Sequence, residues 1–253
     1  MADVDPLREA RVFEEFLQLQ RDPVLRGEGV PAGDGRRVLV LPGLFANDIY
    51  LSTVRVWLSR IGYLPLASEV PLNVGCPRRV WERAATVVER TLADMQPGEP
   101  PLALVGHSRG GLLAKALSHR FSDAIDRMIV VGSPLGGMMA AGREGMQAFT
   151  DAMQASDSGS AGLGVFRAGR AVSRMLDPEC QAPVCDCNYM DALLAPIPGH
   201  ITTTSIFSPT DAVVPAMTSA LPGALNLQVE GSHGGLMHNS AVFRHLADAL
   251  AHP

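Results

Sequence analysis

The chain has 253 residues, 47% of them hydrophobic and 19% charged, with a formal net charge of −5. Such a composition excludes a disordered chain, and the length suits one α/β domain that buries a core without metal or disulfide staples. The acidic balance leaves no basic field for nucleic acid, and no apolar stretch approaches the length of a membrane span.

Residues Met1 to Asp5 lack the basic and apolar regions of a secretory signal, so the expected location is cytoplasmic. From Pro6 to Leu19 the apolar residues recur at helical spacing, which predicts a short amphipathic helix on the outside of the domain. Gly27 to Gly35 is a loop by composition, and Arg37 to Leu41 is a continuous β-prone run of the kind buried on both faces. A helix over Asp48–Arg60, a strand over Tyr63–Glu69 and a helix over Pro77–Met95 follow. Further strands are predicted from Pro101 to Gly106, from Arg127 to Gly132, from Ile201 to Phe207 and from Ala224 to Val229, with a closing helix over Ser240–Ala251. Strands alternating with helices mean crossover connections, hence an α/β fold with a doubly wound, mostly parallel sheet of about six strands.

Residues 135–199 break the alternation. They carry no convincing strand and are rich in Gly, Ala, Met and Ser, with Met138, Met139, Met146, Phe149, Met153 and Phe166 in helical segments and a flexible loop over Ser156–Gly162. An insertion of this size between core strands predicts a helical cap within a single domain of residues 1–253, and Met suits an adaptable apolar lining.

The strongest local signal is Gly106-His107-Ser108-Arg109-Gly110, an apolar strand that stops at a serine between glycines and runs on into a helix. A serine at so tight a turn takes a sparsely allowed backbone conformation, and side chains at Gly106 and Gly110 would collide where strand and helix cross. The pattern is a G-x-S-x-G nucleophile elbow. Neutral serine needs a base. Of seven histidines, His233 sits in Gly231-Ser232-His233-Gly234-Gly235, just after the last strand, at the sheet edge where ligands of parallel sheets bind. His238 is the second choice and is expected to face outward; His107 should point away from the serine. Asp211, in the turn after the strand Ile201–Phe207, is the expected acid, ahead of Asp177, Asp186 and Asp191. Two backbone amides should face the oxyanion: that of Arg109 after the nucleophile, and that of Leu44 in the loop after the first strand. Phe45, the second choice of donor, is expected with Met138 and Met139 to line the substrate site. For the Arg109 side chain, pairing with an acid of the cap is favoured over binding a carboxylate or phosphate of the substrate.

Cys76, Cys180, Cys185 and Cys187 match no common zinc spacing; free thiols are favoured over a disulfide, perhaps one joining Cys76 to the others, and over metal.

Residues Val38 to Leu250 resemble the α/β-hydrolase superfamily, most closely its small bacterial lipases and esterases. The resemblance rests on the elbow, on Asp211 and on the loop Ser232-His233-Gly234-Gly235-Leu236. It implies hydrolysis of a carboxylic ester through an acyl-enzyme on Ser108, with no metal or organic cofactor. Two departures stand out: Pro42-Gly43 replaces the usual His-Gly before the oxyanion loop, and the two leading strands of larger members are absent. The expected partner is a small acyl molecule, with the Met-rich insertion favouring an apolar group. Acyl transfer, thioester cleavage and cyclisation use the same triad, and a non-catalytic ligand-binding module is the remaining alternative.

Overall fold

The computed structural model describes residues 6–155, 161–180 and 187–252. Six strands, β1 (Arg37–Leu41), β2 (Leu64–Leu66), β3 (Leu102–His107), β4 (Ile125–Val131), β5 (Thr202–Phe207) and β6 (Leu225–Gln228), form one parallel sheet in the order β2-β1-β3-β4-β5-β6. The helices are α1 (Val12–Arg21), α2 (Ser52–Arg60), α3 (Pro77–Asp94), α4 (Arg109–Arg120), α5 (Leu135–Ala155), α6 (Ala161–Leu176), α7 (Asn188–Leu194), α8 (Ala216–Ser219) and α9 (Ser240–Ala251). The sheet is doubly wound because its strands are apolar on both faces. Alternate side chains of one strand therefore enter two separate cores. Val38 and Val40 meet Trp57 of α2, Leu19 of α1 and Phe243 of α9, whereas Leu39 and Leu41 meet Trp81 of α3, Leu113 of α4 and Tyr189 of α7.

Most elements lie within two residues of their predicted ends; the exceptions are α2, which begins at Ser52 rather than Asp48, and β2. Strand β2 spans three residues rather than seven. Pro65 has no N–H to give a ladder and is tolerated because β2 is the sheet edge. Beyond it, the amides of Ser68 and Glu69 donate to the Asp48 carboxylate at 2.8 and 3.0 Å, and Glu69 takes φ 56°, so the chain turns instead of extending.

Between β4 and β5 the described residues form α5, α6 and α7, with no strand among them. Gly142, at φ 61° and ψ −167°, breaks α5 into two. Helix α7 is part of the core, with Tyr189, Met190 and Leu193 buried against α3 and α4. The side chains of Met146, Phe149, Met153 and Phe166, and residues 156–160 of the expected flexible loop, lie outside the described residues. On α4, Lys115 is wholly buried and donates from Nζ to the Ala192 carbonyl of α7 at 2.8 Å; burial lowers its pKa to about 8.

The opening segment consists of a 3₁₀ turn, Pro6–Arg11, followed by α1. Rather than merely covering the outside, it packs on a second 3₁₀ turn, Gly234–His238, which follows His233.

Candidate active site

Strand order reverses between β1 and β3: the chain leaves β1 for one edge and returns through β3 on its other side. Crevices at the carboxyl ends of such strands are where open α/β sheets bind ligands. Ser108 lies directly at that point. It caps α4 with φ 54° and ψ −123°, a costly conformation for a residue with a Cβ, and its amide is tied to the Val131 carbonyl at 2.8 Å. The turn closes only because two glycines flank it. A Cβ on Gly106 would run into the carbonyl of Gly110, and one on Gly110 into the Leu41 carbonyl oxygen.

His233 Nε2 lies 3.0 Å from Ser108 Oγ, and His233 Nδ1 lies 2.7 Å from Asp211 Oδ2. Asp211 is 3% exposed and Ser108 9%. The other Asp211 oxygen, Oδ1, accepts the amides of Val213 and Val214 at 2.8 and 2.7 Å, so the carboxylate is fixed in rotation with Oδ2 aimed at the imidazole. Such an array can take a proton from Ser108 and hold the imidazolium that results.

The loop after β1 passes against the serine. A Cβ on Gly43 would sit 3.1 Å from Ser108 Cβ and 3.0 Å from His107 Nδ1. Asn73 fixes this loop: it is fully buried, its Nδ2 donates to the Pro42 carbonyl at 2.7 Å, and its amide donates to that of Ala46 at 2.9 Å. Among the described residues the amides of Leu44 and Arg109 donate to no other group. Arg109, at the first turn of α4, has an amide with no intrahelical acceptor. Phe45 takes φ 60° and is 41% exposed. Met138 and Met139 begin α5 at the same sheet edge, partly buried against the core. Helix α6 comes down on the loop, since a Cβ on Gly169 would lie 2.6 Å from Leu44 Cδ2.

The Arg109 side chain differs from expectation. Its guanidinium donates to the carbonyls of Asn73 at 3.3 Å and Gly75 at 2.9 Å rather than to an acid. Asp177 instead holds the Cys76 amide at 2.7 Å and pairs with Arg79, while Asp191 pairs with Arg143. Both therefore stand apart from His233; Asp186 lies outside the described residues. His238 does not face outward: it is half-buried, edge-on to Phe16 and Tyr50, and burial lowers its pKa. Cys76 and Cys187 are free thiols, and Cys185 lies outside the described residues. Among the described residues no three His, Cys, Asp or Glu side chains gather as metal ligands, and no helix is long and apolar enough to cross a membrane.

Sequence patterns did not reveal the groups that hold the histidine loop. His107 is buried beside His233, its ring 4.9 Å away between centroids, and its Nε2–H donates to the His233 carbonyl at 3.0 Å. Burial, aided by the two neighbouring histidines, pushes its pKa down to about 3, which keeps it neutral. The Tyr50 hydroxyl donates to the Gly234 carbonyl at 2.5 Å; burial and the charges of Glu9 and Glu15 raise its pKa. The amides are taken by the opening segment. Glu15 accepts from Ser232 N at 2.8 Å and from Ser232 Oγ at 2.5 Å. Glu9 accepts from His233 N at 3.0 Å, Gly234 N at 3.3 Å and Ala212 N at 3.2 Å.

No family model matches the chain, and no curated protein matches it. Solved structures do. Alpha/beta hydrolase domain-containing protein 10 from mouse is 16% identical, covers 87% of this chain and 90% of its own, and has a TM-score of 0.53. The type II thioesterase BorB from the borrelidin biosynthetic cluster is 18% identical over 87% of this chain and 95% of its own, with a TM-score of 0.51. A thermophilic esterase is 15% identical over 85% of this chain and 89% of its own, also at 0.51. The chain thus has the α/β-hydrolase fold that its sequence resembles.

Proposed function

On this α/β-hydrolase fold, we propose that Ser108, His233 and Asp211 act as the nucleophile, base and acid of a serine hydrolase that cleaves a carboxylic ester. The observation that carries the reading is the continuous chain from Ser108 Oγ through the imidazole to Asp211, with contacts of 3.0 and 2.7 Å at the switch point of the sheet. His233 removes the Ser108 proton as Oγ attacks the carbonyl carbon. The amides of Leu44 and Arg109 hold the resulting oxyanion, and Asp211 stabilises the imidazolium. His233 then protonates the leaving alcohol, and water repeats the sequence to release the acid. Residues 135–199 contribute the cap through α5 and α6, with Phe45, Met138 and Met139 facing an apolar part of the substrate.

The test is the release of p-nitrophenol from short and medium acyl esters by wild type and Ser108→Ala. A burst of about one equivalent that vanishes in the variant, with fluorophosphonate labelling on Ser108, supports the acyl-enzyme. Absence of both labelling and turnover in wild type refutes the reading in favour of a binding role. Labelling without hydrolysis moves the assignment to an acyltransferase, thioesterase or cyclase.

A further inference from the structure

The loop that carries His233 is unusual in how its peptide groups are satisfied. A buried backbone amide without an acceptor is costly, so each needs a partner. In most loops that partner is another peptide or water. Here, three consecutive amides, Ser232, His233 and Gly234, go to two carboxylates from a distant part of the chain, 217 to 225 residues away. Bonds from amides to a carboxylate are shorter and roughly twice as strong as neutral ones. The arrangement is also built on both sides. Glu15 is 6% exposed and Ser232 2%. A Cβ on Gly235 would occupy the space of the Glu15 carboxylate, so that glycine and that glutamate require each other.

Glu9 does more than satisfy the histidine loop. Its Oε1 accepts both the His233 amide and the Ala212 amide, the latter next to Asp211. One oxygen thus joins the loop after β5, which bears the acid, to the loop after β6, which bears the base. We propose that Glu9 and Glu15 are positioning residues for the triad, setting the place of the His233 backbone relative to Asp211 and Ser108 from the N-terminal helical segment. The inference rests on the triad reading above. Its physical basis is that misplacement by about 1 Å of a reacting group costs on the order of 10²-fold in rate. The titratable groups facing the His233 imidazole are Asp211 from the β5 loop and His107 from β3; Tyr50, from the loop after β1, packs on His107, and His238 packs on Tyr50.

The experiment compares Glu9→Gln, Glu9→Ala and Glu15→Gln with wild type, with rates expressed per Ser108 titrated to completion by fluorophosphonate so that unfolded protein does not count. The expected result for Glu9→Ala is a fall in kcat for a p-nitrophenyl ester of about 10- to 100-fold, with KM changed less than about twofold. Glu9→Gln, which keeps an acceptor but no charge, should fall between. A role confined to stability would lower the melting temperature and leave kcat per titrated serine where it is in wild type; that result overturns the proposal. If Glu15→Gln does not fold, the two Glu9 variants decide. A wild type that neither titrates nor turns over ester removes the triad reading and this inference with it, an outcome distinct from wild-type activity with unaffected variants.

Discussion

Asp211→Asn gives the sharpest test of the site, because the surrounding backbone dictates which way the new amide points. The amides of Val213 and Val214 both donate to Oδ1, at 2.8 and 2.7 Å. An asparagine must put its carbonyl oxygen there, since the reverse orientation sets an NH₂ against two N–H groups. Each such unmade bond costs about 1–3 kcal/mol. The side-chain NH₂ therefore takes the place of Oδ2, 2.7 Å from His233 Nδ1. Nδ1 must then accept, which leaves the proton of the neutral imidazole on Nε2, pointing at Ser108 Oγ 3.0 Å away. In that tautomer His233 is no base for serine. The expected loss in kcat is about 10⁴-fold, or about 5.5 kcal/mol of transition-state stabilisation, with the fold intact. Stopped-flow acylation by a p-nitrophenyl ester measures it, alongside near-ultraviolet circular dichroism to confirm the native packing. A loss smaller than about tenfold would mean that Asp211 does not select the tautomer, and the chemistry assigned to these three residues would be wrong.

Three further outcomes follow from the packing. Lys115 has a folded pKa of about 8 against an ordinary 10.5, so the unfolded chain binds more protons between these values and wild-type stability rises with pH across that window, by up to about 3 kcal/mol; urea titrations of Lys115→Met at pH 7 and pH 10 should lack the rise, and parallel curves for the two proteins would contradict it. His107, held at about 3 against 6.5, makes the fold lose stability as pH drops below 6.5, by about 2 kcal/mol at pH 5. His107→Gln keeps a donor and removes the titration, so its chemical-denaturation midpoint should be flatter between pH 7 and pH 5, and an unchanged slope would count against a buried neutral ring. Gly110→Ala drives a Cβ into the Leu41 carbonyl and is expected to cost upward of about 3 kcal/mol and to abolish fluorophosphonate labelling; a melting temperature equal to that of wild type would show that the strand and helix do not cross so closely.

Much of the fold was legible because its signals are local. The run Arg37–Leu41 is apolar on both faces because helices cover both sides, and the glycines around Ser108 mark one steric requirement within five residues. The parallel direction of the strands follows from the crossover connections between them. Where the structure differs from expectation, the deciding contact is remote in sequence. β2 stops after three residues because Asp48, some twenty positions earlier, takes the amides that a longer strand would have paired. The Arg109 side chain was expected to find an acid, yet two backbone carbonyls of the 73–75 loop reach it first. The position of His238 next to a helix start suggests exposure, but Phe16 of α1 closes over it.

The same reason separates the members of the site from the groups that hold them. Ser108, Asp211 and His233 are each announced by the turn in which they sit, since a strand end followed by a tight turn is what brings a side chain to the upper edge of a parallel sheet. Glu9 and Glu15 are ordinary acidic residues on a short helical segment, and spacing alone makes them a solvated face. What distinguishes them is a demand made elsewhere: a loop with glycines at 231, 234 and 235 has few side chains of its own to shield or satisfy its amides. Ser232 spans one of these gaps, bonding Gly235 N through Oγ at 3.2 Å. The remaining amides need acceptors from outside the loop. From those peptide groups towards their partners, the opening segment is joined to the loops of His233 and Asp211 as a third element of the candidate site.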